Sequence, residues 1–271
     1  MTEILEYANW RDEYRDILKS FGNKLILFSF SGGKDSSLAL DFLLKAKKEF
    51  HFNFETHAGA FPVHRYTNEE KERIGDYWKK RGIDIFWHDF IETDELIRET
   101  VNPCHSCQSI RKELLKNFVI NNISDLENLV LIVCFSLWDI VGYSLEHILG
   151  EIFSYSNTNE KDGPSKRFIE TSQRYYPYLK MNEGYSMFRP LIKYNGCDIL
   201  YTVKENNIPI LSIPCEFKDY RPKRILDAYY TKMGLRFDYE RVFEFAKKNL
   251  GIPDASSYTT IKKEIYLKEI F

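Results

Sequence analysis

The sequence predicts an α/β protein built on a doubly wound parallel sheet, with a helical C-terminal part. Three observations carry that expectation. Short apolar runs alternate with amphipathic segments of helical length, and a glycine-rich loop joins the first run to the first of those helices. At 271 residues and 44% hydrophobic, the chain also holds enough apolar side chains for one large core.

The strand candidates are 24–30, 54–61, 83–88 and 129–135; the helix candidates are 36–50, 67–82, 107–120 and 138–150. Thr67-Asn68-Glu69-Glu70 has capping-box spacing at the start of the second helix. Residues 151–187 break the rhythm, being polar and then tyrosine-rich, and read as an insertion over the sheet edge. From about 188 onward the chain reads as mostly helical, with 216–271 as a helical segment packed back on the core. With no clear linker and no internal repeat, 1–271 is expected to form a single domain. Ligands of such a sheet bind at the carboxyl ends of its strands.

Charge and cysteine usage narrow the function classes. Thirty-eight basic against 40 acidic side chains give a formal charge of -2, so no whole-protein field favours nucleic acid or an anionic membrane, although a local basic patch stays open. No apolar run approaches the roughly 18 residues of a membrane span, and the first residues lack the order of a signal peptide, so a cytoplasmic protein is expected. Five cysteines in a reducing compartment point to metal ligands, reactive thiols or core residues rather than disulfides.

The loop Ser29-Phe30-Ser31-Gly32-Gly33-Lys34-Asp35-Ser36-Ser37 fails the nucleotide P-loop pattern twice. Phe28 stands where that pattern's first glycine belongs, and Asp35 follows Lys34 where a serine or threonine should. The dinucleotide pattern fails as well, because Gly32 and Gly33 are adjacent and no third glycine follows. What survives is the physical idea that glycines let backbone amides close round an anion at a helix N-terminus. Ser31, Ser36 and Ser37 add hydroxyls, and a carboxylate such as Asp35 beside phosphate makes sense mainly as a magnesium ligand. The bland alternative is a tight strand-to-helix turn.

Cys104-His105-Ser106-Cys107, taken alone, is a zinc half-site, a redox pair or half of a cluster site. Structural zinc takes four protein ligands, and no second pair stands at knuckle spacing. Cys134 and Cys197 lie in apolar settings typical of inert thiols, whereas Cys215 follows Pro214 at what reads as a strand end. Tyr175-Tyr176-Pro177-Tyr178 reads as packing or a pocket wall rather than a base-stacking platform.

Ser31-Gly32-Gly33-Lys34-Asp35-Ser36 resembles the PP-loop of the ATP pyrophosphatases, an adenine nucleotide alpha hydrolase-like superfamily whose members split ATP between the α and β phosphates and leave AMP on an acceptor oxygen. Within it, the cysteine pair, Arg111 and Cys215 resemble the tRNA thiolases that make 2-thiocytidine and 2-thiouridine. Those enzymes hold a 4Fe-4S cluster on three cysteines and pass sulfur to the adenylated base. Phe188-Arg189-Pro190-Leu191, Ile213-Pro214-Cys215 and Asp139 add similarity, so the resemblance runs from about 22 to 232. It departs at Cys134-Phe135-Ser136-Leu137-Trp138-Asp139, where those thiolases carry Gly-His before the acid, and it lacks their terminal zinc ribbons.

The resemblance implies roles. Ser31, Gly32, Gly33, Asp35 and Ser36 would bind the phosphates of ATP, with magnesium on Asp35 and adenine near Ala60 and an apolar face of Phe61. Lys34 or Arg111 would stabilise charge on the α-phosphate, and Cys104, Cys107 and Cys215 would hold the cluster. Asp139 is either a second catalytic acid or a helix cap. The implied activity is an AMP-forming, ATP-dependent sulfurtransferase fed by a sulfide or persulfide donor. Its acceptor is expected to be a small molecule or carrier-bound amide, with tRNA as the alternative: the chain is slightly acidic, and its densest basic run, Arg221-Pro222-Lys223-Arg224 with Lys218, could hold a few phosphates. The insertion, with Lys166, Arg167 and Arg174, is expected to close over that acceptor. Homodimerisation stays open, as do an amide- or amidine-forming ligase and a nucleotide sensor on the same fold.

Overall fold

Described in the computed structural model are residues 2–90, 93–149, 163–220 and 222–261. Two short helices, α1 (Tyr7–Glu13) and α2 (Arg15–Lys19), precede β1 (Leu25–Ser29), α3 (Lys34–Phe50), β2 (Glu55–Ala60), α4 (Asn68–Lys79) and β3 (Ile85–Asp89). Then come α5 (Glu95–Arg98), α6 (Pro103–Asn122), β4 (Leu129–Ile132), α7 (Leu137–Leu149) and α8 (Gly163–Ser172). The chain continues through β5 (Tyr178–Lys180), β6 (Ser186–Phe188), α9 (Gly196–Glu205), α10 (Pro222–Met233) and α11 (Tyr239–Phe245). The six strands lie in the order β3-β2-β1-β4-β6-β5, all parallel except β5, which pairs antiparallel with β6.

Period-two burial explains why this sheet is covered on both faces. Along β1, Ile26 and Phe28 enter one core with Trp10, Phe42 and Trp78, whereas Leu27 enters the opposite one with Val119 of α6. Along β4, Val130 and Ile132 join the first core and Leu129 and Leu131 the second. Both faces of the central strands are therefore apolar, the pattern of a parallel sheet with helices on either side. From β1 the chain winds outward through β2 and β3, then returns to place β4 on the other flank of β1. The crevice past the ends of β1 and β4 is thus the topological switch point where such sheets bind ligands.

Two parts of the chain depart from the sequence reading. The stretch expected to lie over the sheet edge instead supplies β5 and the first two residues of β6, so its last part extends the sheet. Residues 150–162, the side chains of Lys166 and Arg167, Arg221 of the basic run and residues 262–271 lie outside the described residues. Cys215 sits not at a strand end but in the irregular segment 206–217 that follows α9. That segment is strapped across the glycine-rich loop. Leu211 N–H donates to Gly32 O at 2.8 Å, Arg65 Nε to Ile213 O at 3.0 Å, and Arg73 Nη2 to Ile210 O at 2.7 Å.

Glu70 secures the same strap, and this explains an incomplete cap. Thr67 accepts the Glu70 N–H as the capping box requires, but the Glu70 carboxylate turns away to accept Ser212 N–H and Oγ–H, each at 2.8 Å, together with Arg73. Against the upward push of burial, the bonds from Arg73 and Ser212 hold Glu70 below the ordinary carboxylate range. Replacing Glu70 with alanine orphans those donors and should cost about 1–3 kcal/mol in urea denaturation. The native value lies below the unfolded one, so the contribution is complete at neutral pH and is lost as pH falls through the native value. Glu70→Gln should accordingly flatten the acid limb of the stability profile; a limb of wild-type slope would refute the role.

Candidate active site

The loop at the end of β1 is shaped by its own side chains. Gly32 adopts φ +63°, a left-handed conformation open to glycine at little cost, and Gly33 caps α3. Ser31 N–H donates to Ser36 Oγ at 3.2 Å, the two hydroxyls are 3.0 Å apart, and Ser36 Oγ donates to Gly33 O at 3.1 Å. Tyr66 Oη donates to Ser31 O at 3.0 Å from the far side of β2. At the first turn of α3, Lys34 Nζ donates to Asp35 Oδ1 at 2.7 Å, and both side chains are mostly buried. The result is a pre-shaped turn with amides at a helix N-terminus and an adjoining lysine–aspartate pair, a combination suited to phosphate and its cation.

Beside the loop lies a cavity of about 290 Å³ lined by Ser29, Ser31, Gly59, Arg111, Cys134 and Arg189, among others. Its walls come from the ends of β1, β2, β3, β4 and β6 and from the inner face of α6. On the wall from β2 and β3, His57 Nδ1 and His88 Nε2 are 2.9 Å apart, and His57 Nε2 is 3.1 Å from Glu55 Oε2. With the carboxylate as acceptor, His57 carries its proton on Nε2 and accepts the Nε2–H of His88. Burial, aided by His57, holds His88 below the ordinary histidine range. Alternation along β2 put Glu55, His57 and Gly59 on one face, a signal that was available in the sequence.

Arg111 projects from α6 past Gly59, where its Nε stands 4.0 Å from the position a Cβ would take. Tyr66 and the thiols of Cys107, Cys215 and Cys104 hold it firmly protonated, and no carboxylate pairs with it among the described residues. The same thiols act on one another. Burial pushes the Cys107 thiol up to about 11 against the pull of Arg111, with Cys104, Cys215 and Asp94 adding to the rise. Cys104 and Cys107 lie on the first turn of α6, where Asn102 accepts the His105 N–H at 3.0 Å, so His105 is part of a helix start. Cys107 and Cys215 pack against one apolar cluster of Phe61, Ile97 and Phe217.

Among the described residues, no three His, Cys, Asp or Glu side chains are gathered round a common point that could hold a single metal ion. A 4Fe-4S cluster takes each cysteine on a different iron, so its thiols stand further apart than the ligands of one ion. Three half-buried thiols beside a guanidinium that has no carboxylate partner among the described residues form a donor set that fits a soft, net-negative group of that kind.

Other expected site residues are placed differently. Phe61 is fully buried, its ring 4.9 Å from that of Phe90, and presents no face to the cavity; Ala60 is buried at the end of β2. Asp139 is buried in the first turn of α7, and its Oδ2 accepts Ser136 N–H and Oγ–H, each at 2.9 Å. That is the returning half of a capping box, and the residue does not line the cavity. Cys134, expected to be an inert core thiol, does line it; burial and the nearby Asp35 push its thiol well up, so it stays protonated. Tyr175 and Tyr176 pack in the core, hydrogen-bonded to Ser144 and to Pro253 O.

No family model and no curated protein matches the chain. Among solved structures, a U34-tRNA thiolase from Methanococcus maripaludis, determined with its 4Fe-4S cluster, superposes with TM-score 0.58 at 16% identity over 92% of this chain and 81% of that one. An NH3-dependent NAD synthetase from Campylobacter jejuni gives TM-score 0.44 at 12% identity, over 96% of this chain and 94% of that one. An NMN synthetase from Francisella tularensis gives 0.42 at 11%, over 94% and 91%. The chain therefore shares the α/β fold of the thiolase, the fold class expected from its sequence. No helix among the described residues is long and apolar enough to cross a membrane.

Proposed function

We propose that the protein is an ATP-dependent sulfurtransferase that activates a carbonyl-type oxygen as its adenylate and replaces it with sulfur. The observation that carries this reading is the grouping of Cys104, Cys107 and Cys215 around Arg111, a residue that also lines the cavity beside the Ser31–Ser36 loop. Arg111 is thus a neighbour of the three thiols and shares a cavity with Ser31.

In this mechanism the amides at the start of α3 receive the phosphates, and Lys34 exchanges its bond to Asp35 for one to phosphate. Asp35 would hold the magnesium ion that neutralises the leaving pyrophosphate. Arg111 faces the α-phosphate and stabilises the charge that grows there as the acceptor oxygen attacks. AMP then leaves as sulfur takes the oxygen's place. Cys104, Cys107 and Cys215 would hold a 4Fe-4S cluster, which when bound supplies an iron not ligated by cysteine at which sulfur is handled. The cavity, at about 290 Å³, suits a compact acceptor.

Product analysis tests the reading. With magnesium and acceptor, ATP should yield AMP and pyrophosphate, and Asp35→Ala should reduce turnover at least about a hundredfold, the scale of losing transition-state charge stabilisation. Acceptor-dependent ADP and phosphate would overturn it. A gel shift with bulk tRNA at two salt concentrations addresses the acceptor class. Salt-steep micromolar binding, with a thionucleoside missing from cells that lack the gene, would move the assignment from a small acceptor to tRNA.

A further inference from the structure

The phosphate loop leaves one buried cation unexplained. Arg189, immediately after β6, is 1% exposed and lines the cavity. Its Nη1 donates to Tyr176 O at 3.0 Å and its Nη2 to Gln173 Oε1 at 3.3 Å, both neutral acceptors, while its Nε has no partner. No carboxylate pairs with it among the described residues, although a guanidinium taken out of water without a counter-charge is strongly disfavoured. Burial, with Arg174 close by, pulls its pKa down to about 10. Arg174 bonds Glu170, which Lys112 also contacts at 2.6 Å. The cavity lining therefore carries four cations, Arg111, Lys112, Arg174 and Arg189, against one carboxylate, Glu170.

The triphosphate, which the proposed function places against Arg111, does not account for Arg189. Arg189 follows β6, which is separated from β1 and its loop by β4, two strand spacings of about 4.8 Å each. We infer that the part of the cavity bounded by Arg189 and Arg174 receives an anionic group, a carboxylate or phosphate, carried by the acceptor. That the anion belongs to an acceptor rests on the proposed function; the anion site itself stands on a buried guanidinium, at the cavity wall, that has no counter-charge among the described residues. The acceptor class is thus a compact, acidic molecule with a carbonyl-type oxygen within reach of the loop.

The test is calorimetric titration of inorganic phosphate into the full chain, first free and then saturated with magnesium and α,β-methylene-ATP. Phosphate should still bind the nucleotide-loaded protein, and Arg189→Met and Arg174→Met should each weaken it about tenfold or more, the scale of one charge-assisted hydrogen bond. Arg189→Lys should retain part of the affinity, which keeps the test decisive if Arg189→Met fails to fold. Phosphate displaced by nucleotide, or bound equally by the Arg174 and Arg189 variants, would overturn the inference. If the nucleotide analogue does not bind but phosphate binding still depends on both arginines, the anion site stands and the ATP reading falls.

Discussion

Replacing Gly32 with alanine should abolish tight nucleotide binding and lower stability by about 1–3 kcal/mol. Two independent causes act at this position. The backbone sits at φ +63°, where an L side chain is strained whatever space surrounds it. The added Cβ would also lie 2.7 Å from Leu211 Cγ and 2.9 Å from its Cδ1, so the strap must move. That strap is tied to the very same residue, since Leu211 N–H donates to Gly32 O, and Leu211 is itself buried in the core beside α3. Displacing it opens the turn whose amides would receive phosphate. Gly33 is the control: a Cβ there meets only Ser31 Oγ at 3.5 Å, an ordinary contact, so Gly33→Ala should leave stability nearly unchanged. Urea denaturation and calorimetric titration of ATP measure both effects. Wild-type nucleotide affinity in Gly32→Ala would sink the loop's assignment.

The shape of the loop was legible because a glycine turn ahead of a helix is a local matter. Gly32, Gly33 and the hydroxyls that shape them lie within six residues, so spacing carries the geometry. The central strands were legible for a related reason: runs such as 24–30 and 129–135 are apolar on both faces, and only a doubly covered sheet uses them so. Strands β5 and β6 are three residues each, too short to display a period, which is why their segment read as an insertion. The fates of Phe61, Asp139 and Cys134 were set by tertiary neighbours. Phe61 is covered by Phe90, Ile97 and Phe217, and Asp139 turns to Ser136. Arg189 stands within Phe188-Arg189-Pro190-Leu191, but that its Nε has no acceptor is visible only when every acceptor round it among the described residues can be traced.

Exchanging Cys215 for alanine should remove the iron and acid-labile sulfide from the protein reconstituted or purified without oxygen, bleaching its visible absorbance. The expectation depends on where three thiols lie. Cys104 and Cys107, three residues apart on the first turn of α6, supply only two ligands, and two thiolates do not retain a cubane against exchange with solvent thiols. The third comes from a segment more than a hundred residues downstream, held by Glu70, Arg73, Arg65 and Gly32 and packed with Cys107 on the Phe61, Ile97 and Phe217 cluster. Cys104→Ala and Cys107→Ala should bleach the protein equally. Cys134→Ala and Cys197→Ala should not, for the first faces the cavity near Asp35 and the second lies in α9 beside Asp198. The strap adds a discriminating result. Glu70→Ala leaves every cysteine in place but loosens the segment that carries Cys215, so it should lower cluster retention under a chelator challenge while initial iron content after reconstitution stays near that of the wild type. Full iron and sulfide without Cys215 would separate the cysteine grouping from metal binding and return the pair on α6 to a redox or structural role, whereas a chelator half-life unchanged in Glu70→Ala would separate the strap from cluster retention.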